Sequence, residues 1–151
     1  MAAVEAVIAA IDQVIAFFNA RKMDLPDGFF DRKTQFVING APFETLLGQS
    51  PSDPLILMLS RGPAGFRFTA KALQHAVPDA RLERGDIVTG PEPQQVSFKL
   101  WLSGTLRGTG EAMNEVVTVA LRFNGAAQLD VASAEVDAAA LDKIRQARLR
   151  S

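Results

Sequence analysis

His75 is the only histidine in the chain, and imidazole is the side chain whose charge changes closest to neutral pH, so it is the first candidate for moving a proton. It shares a row with Ala64, Phe68 and Ala72 on a helix expected from Pro63 to Val77, with Phe66, Ala70, Leu73 and Val77 in a second apolar row; the competing reading is a strand, because Phe66 to Leu73 also alternates. There it either faces a pocket or meets the carbonyls at the helix end. Pro78-Asp79 follows directly and reads as a turn and strand start rather than as a catalytic acid. Phe30, Phe36 and Phe68 either line an apolar cavity or fill the core. With no cysteine, disulfides and thiolate metal sites are excluded, and neither a metal nor a cofactor is expected.

These residues must be positioned by the elements around them. Val96, Phe98, Leu100 and Leu102 alternate with Ser97, Lys99, Trp101 and Ser103, which predicts a half-buried strand. After a glycine-bearing turn, Val117, Val119, Leu121 and Phe123 alternate with Val116, Thr118, Ala120 and Arg122, completing a long antiparallel hairpin. Asn124-Gly125 predicts a two-residue turn into a third strand from Ala127 to Val136. The inward faces, including Leu129 and Val131, carry no ionisable group, so any chemistry must come from helices or loops. The opposite face, with Trp101, Val116, Thr118, Ala120, Ala132, Ala134 and Val136, and with Lys99 and Arg122 at the rim, is too apolar for a water-facing sheet. A homodimer through this face is expected; the alternative is that the last helix covers it.

Earlier in the chain, Val4 to Phe18 carries an apolar stripe at helical spacing, with Arg21 and Lys22 at its C-terminal end and Leu25-Pro-Asp-Gly28 as the stop. Phe29, Phe30 and Asp31 form a short link, and Gln35 to Phe43 reads as a small hairpin about Asn39-Gly40, with Pro42 at an edge. Ser52-Asp-Pro54 predicts a helix start running to Ser60. Asp79 to Thr89 predicts a strand with a bulge at Gly85, Pro91-Glu-Pro93 a loop, and Asp137 the cap of a last helix. Sixteen basic against seventeen acidic side chains disfavour a nucleic-acid partner. The apolar opening lacks a basic leader and is broken by Glu5 and Asp12, so no membrane span is expected; the reading is one soluble, cytoplasmic domain over residues 1–151.

Phe29-Phe-Asp31, Arg61-Gly-Pro, Pro78-Asp79, Gly104-Thr105 with Gly108, and Asn124-Gly125, in that order and spacing, resemble the SnoaL-like family of the nuclear transport factor two-like superfamily. The resemblance implies a cystatin-like α+β fold: a cone-shaped α+β barrel whose curved antiparallel sheet wraps around N-terminal helices. It also implies an apolar pocket at the open end and a dimer through the outer sheet face. On this expectation Phe30, Phe36, Phe68, Phe98, Leu100, Val119 and Leu121 form the pocket. Asp31 and Arg61 match family positions near its mouth, where a carboxylate beside a guanidinium would serve as base and substrate clamp; a cap and a surface ion pair explain them equally well.

The departures from the pattern matter too. Leu106 and Arg107 stand where many such chains carry a histidine, which weakens a cyclase role. The chain has no tyrosine, and Gln35 to Ile38 contains no acid, which argues against isomerase chemistry. The expected function is a small-molecule-binding homodimer that takes a small hydrophobic ligand. The first alternative is an enzyme acting on a hydrophobic carbonyl or polyketide-like substrate, with His75 or Asp31 as proton carrier and Arg61 as electrostatic partner. The second is a dimeric scaffold without chemistry.

Overall fold

The computed structural model describes residues 4–22, 24–25, 29–42, 61–89, 94–124 and 128–148. Helix α1 (Val4–Asn19) buries Val7, Ile11 and Phe18 along its apolar stripe. It ends before the expected stop. Arg21 adopts a left-handed φ of 62°, and the N–H groups of Arg21 and Lys22 bond back to the carbonyls of Phe18 and Phe17, closing the helix without glycine. The Arg21 guanidinium lies over the Phe18 ring and donates to the Pro78 carbonyl at 2.8 Å, which offsets the cost of that φ.

Phe30 and Asp31 are not a link but the start of strand β1 (Phe30–Ile38). Asn39 and Gly40, with φ of 51° and 79°, turn the chain into the short β2 (Ala41–Pro42). The helix expected at Pro54 to Ser60 and the loop at Pro91 to Pro93 lie outside the described residues. Helix α2 (Gly62–Ala76) has Pro63 in its first turn and stops at Val77-Pro78. Strands β3 (Arg81–Arg84) and β4 (Val88–Thr89) are separated at Gly85, whose N–H still reaches the Lys99 carbonyl. Then follow β5 (Gln95–Thr105), β6 (Ala112–Phe123), β7 (Leu129–Glu135) and helix α3 (Ala138–Arg148), where the Asp137 carboxylate accepts the Ala140 N–H.

The sheet runs β2-β1-β7-β6-β5-β3, with β4 also on β5, and curls into a half-barrel around the helices. It is mixed rather than wholly antiparallel, because β1 pairs with β7 in parallel. The long stretch of chain between these two strands leaves room for the crossover that a parallel pair requires. Two asparagines extend the ladder where strands run out. The Asn39 amide bonds both the N–H and the carbonyl of Val136, and the Asn19 amide does the same for Leu82, tying α1 to β3. A bidentate ion pair between Asp12 and Arg84 adds to that joint.

The connection between β6 and β7 also differs from expectation. The Asn124 N–H bonds the Gln128 carbonyl, so three residues rather than two lie between them, and these fall outside the described residues. Phe123 pairs with Leu129 but Arg122 pairs with Val131, which leaves Asp130 as an extra residue. That bulge reverses the alternation. Ala132, Ala134 and Val136 therefore face inward, not outward, and Val131 lies across from Arg122 on the outer face.

A second irregularity holds β1 against β7, whose register slips between Phe30 and Gln35. Its organiser is Thr34, the one fully buried polar side chain among the described residues. The Thr34 hydroxyl accepts the Asp31 N–H at 2.9 Å and has the carbonyls of Leu129 and Asp31 to donate to. Thr34→Val keeps the shape but leaves a buried N–H and a buried carbonyl without partners. A loss of about 2–3 kcal/mol in chemical denaturation is expected.

Candidate functional site

The core is not continuous. One buried cluster gathers Phe18, Ala70, Val77, Leu102, Met113, Ala140 and Ala147 between α2, α3 and one end of the long hairpin. The other gathers Val7, Ile11, Phe29, Val96, Phe98, Leu121 and Leu129 beneath α1. Between them lies a cavity of about 320 Å³. Ile11, Ile15 and Phe18 of α1 close one side, and Phe66, Thr69, Ala70 and Leu73 of α2 another. The sheet supplies Phe98, Leu100, Leu102, Val117, Val119, Leu121 and Ala132. Leu141 and Ile144 of α3 complete the wall.

Local sequence explains this lining. Phe66, Thr69, Ala70 and Leu73 recur at helical spacing and form one face of α2. On the sheet, Val96, Phe98 and Leu100 lie directly across from Leu121, Val119 and Val117, so each inward residue of β5 meets an inward residue of β6. One end of the cavity is aromatic. Phe30, Phe36 and Phe66 stand 5.2–6.5 Å apart between ring centres, tilted 38–42° to one another, while Phe29 stacks on Phe123 at 5.8 Å.

Of the residues expected at a pocket, Phe30, Phe36, Phe98, Leu100, Val119 and Leu121 line this cavity, and Phe68 does not. Phe68 lies roughly 200° around the helix from Phe66, on the side turned away. His75 lies on that same side, is exposed, and sits at the helix terminus. There the Arg107 Nε–H donates to the His75 carbonyl at 2.6 Å and the Arg107 backbone N–H to the Ala76 carbonyl, so the turn after β5 caps α2. Asp31 is half-buried in the β1 irregularity beside Thr34 and is not part of the lining. Arg61 precedes the first turn of α2, also off the lining, and about 21 Å along the helix from His75 at 1.5 Å per residue. Arg61 and His75 therefore stand at opposite ends of α2, and none of the three candidate catalytic residues is among those lining the cavity.

Sequence reasoning missed Ala132 and the inward turn of the last strand, because alternation carries no mark of a bulge. It also missed Thr69, which sits on the same α2 face as Phe66 and Leu73 and could have been found from that spacing. Among the described residues no group of three histidine, cysteine, aspartate or glutamate side chains could hold a metal ion. None of their helices is long and apolar enough to cross a membrane.

The outer sheet face carries the remaining candidates. Trp101 and Val116 are cross-strand partners, each 44% exposed, with Thr118 and Ala120 further along β6 and Arg122 paired with Asp130 at 3.1 Å. The Trp101 indole lies over Gly85, where a Cβ would come within 2.9 Å of the ring. Helix α3 does not cover this face, since Ala140, Ile144 and Ala147 are spent against the inner cluster.

Neither a protein-family model nor a curated protein matches the sequence. Solved structures do. An NTF2-like protein of unknown function from Exiguobacterium sp. 255-15 is 15% identical, aligning 85% of this chain with 98% of its own at a TM-score of 0.61. A SnoaL-like polyketide cyclase from Agrobacterium tumefaciens str. C58 is 18% identical, with 91% and 92% covered and a TM-score of 0.60. TerC, co-crystallised with polyporic acid, is 13% identical, with 92% and 97% covered and a TM-score of 0.65. At such identities the likeness is one of fold.

Proposed function

We propose, from the premise that this chain has the fold of the SnoaL-like proteins in the nuclear transport factor two-like superfamily, that it binds a small, uncharged, largely aromatic ligand between its two core clusters. The observation that carries this reading is the cavity itself: about 320 Å³, walled by hydrocarbon side chains, with an aromatic end. That volume falls at the lower end of the roughly 300–1,000 Å³ of small-ligand pockets. An unfilled apolar volume of this size costs packing free energy, and a ligand that fills it recovers the lost contacts. The co-crystallised TerC offers a precedent for a ligand on this fold. The enzyme alternative needs an ionisable group against the reacting atom, and no side chain in the described lining is ionisable.

Titration with N-phenyl-1-naphthylamine tests the reading. Saturable fluorescence enhancement at one site per chain, with a rise in melting temperature that grows with ligand concentration, is expected. Absence of saturable binding at concentrations up to the solubility of the dye would reject it.

The outer face supports a second part of the proposal, a homodimer in which β5 and β6 of two copies meet. Trp101 and Val116 form an apolar centre, and Arg122 with Asp130 a polar rim, the arrangement of a self-complementary interface. Trp101 is the only tryptophan, so its emission should shift to the red on dilution as the pair separates. A sedimentation mass near the 16.3 kDa of one chain at micromolar concentration would exclude this dimer.

A further inference from the structure

The two ends of the cavity differ in chemistry. At one, the rings of Phe30, Phe36 and Phe66 meet, and Phe30 packs on the cluster that holds Phe29 and Phe98. At the other, Leu73, Leu82, Val136 and Ile144 pack on the cluster that holds Leu102, so the wall there is mainly aliphatic. The one ring on that side, Phe18, has the Arg21 guanidinium over its face at 5.7 Å. Phe66 and Leu73 are separated by about 10 Å along α2 at 1.5 Å per residue, and Phe98 and Leu102 by about 13 Å along β5 at 3.3 Å per residue. The lining therefore extends further than one ring can reach.

Nothing along the described lining offers a hydrogen bond. The Thr69 hydroxyl is turned back onto the Gly65 carbonyl at 2.8 Å, and the Ser133 side chain lies on the strand face opposite to its inward neighbours Ala132 and Ala134. No buried side-chain nitrogen or oxygen among the described residues lacks a partner. A polar atom carried into this space gives up its water and gains no partner in return.

We infer that the ligand of the site proposed above is an alkyl-substituted arene: a benzene ring held among Phe30, Phe36 and Phe66, with a saturated chain of a few carbons, free of heteroatoms, lying along Leu73, Leu102 and Ile144. Offset and tilted ring contacts favour an arene over an alkane at the first end. At the second, a chain adapts its torsions to the branched side chains around it, and each methylene that leaves water adds its own contribution. The inference rests on the binding reading, and its test separates the two.

Toluene, ethylbenzene, propylbenzene and butylbenzene lengthen the chain one carbon at a time, and benzyl ethyl ether replaces one chain methylene of butylbenzene by oxygen at nearly constant shape. Their displacement of N-phenyl-1-naphthylamine is measured on the wild type and on Leu73→Trp and Ile144→Phe, which fill the aliphatic end; melting curves show which variants fold, and the wild-type series decides without them. In the wild type, affinity should rise about fourfold with each added methylene, and the ether should bind at least about tenfold more weakly than butylbenzene. In a folded variant toluene should keep its affinity to within about twofold, while the gain beyond ethylbenzene disappears. A wild type that binds toluene as tightly as butylbenzene, or the ether as tightly as the hydrocarbon, would overturn the alkyl chain and leave the binding site standing. Equal loss of toluene and butylbenzene in a folded variant would overturn the placing of ring and chain at the two ends. Saturable dye binding that no alkylbenzene displaces would overturn the ligand class alone, and failure of the dye to bind would overturn the site and the inference with it.

Discussion

Ala132→Phe should make the protein more stable and unable to bind the ligand proposed above. Ala132 lines the cavity, with Phe36 across from it on β1 and Leu121 across from it on β6. A phenyl ring there enters empty space rather than a packed core. Filling roughly 100 Å³ of void at about 24 cal/mol per Å³ is worth on the order of 2 kcal/mol, a rise of several degrees in melting temperature. The same ring occupies a large part of the volume a ligand would use, so affinity for N-phenyl-1-naphthylamine should fall by at least about thirtyfold, the equivalent of roughly 2 kcal/mol. Opposite changes in stability and binding from one substitution separate this outcome from ordinary damage to the fold. A lower melting temperature would show that no space exists beside Ala132, and unchanged binding that the ligand sits elsewhere.

Gly104→Ala should be the most damaging small substitution in the long hairpin. A Cβ on Gly104 would collide with Cγ1 of Val77 and stand 3.0 Å from Asp79 Oδ1 and 3.3 Å from the Ala80 Cα. Val77 is fully buried at the end of α2, so it has little room to give way. The expected loss is about 2–3 kcal/mol, read from the midpoint of denaturant unfolding. The same joint gives the protein an acid sensitivity. The Asp79 carboxylate accepts the Thr105 N–H at 2.7 Å and the Thr105 hydroxyl at 3.2 Å, and the backbone bond is the main reason its pKa is held below the ordinary carboxylate value. A folded pKa below the unfolded one means that its stabilisation is complete above about pH 4 and is lost as pH falls through the folded value. Asp79→Asn should flatten that acid limb of the stability curve while leaving the neutral-pH fold intact.

These two sites show how differently the parts of the molecule could be read. Pro78-Asp79 and Gly104-Thr105 stood out as separate short motifs. The structure explains why they belong together: the carboxylate of one bonds the backbone of the other, and the glycine lets β5 approach the end of α2. The long hairpin was legible because alternation over many residues admits one register that buries Val96, Phe98 and Leu100. His75 was misleading for a physical reason. A helix with apolar residues on several sides offers more than one row that could face inward, and only packing against β1 and α3 chose the row of Phe66, Thr69 and Leu73.

Local pattern determined the helices α1 and α3, the hairpin about Asn39-Gly40, the inward set of β5 and β6, and the outward position of Trp101 and Val116, and it favoured helix over strand for α2, because periodicity and turn chemistry are properties of neighbouring residues. Tertiary structure alone decided that β1 runs parallel to β7, that the extra residue at Asp130 turns Ala132 and Ala134 inward, and that the core stays split around a cavity. Those outcomes depend on register between distant strands and on how completely curved layers meet. No window of adjacent residues encodes either.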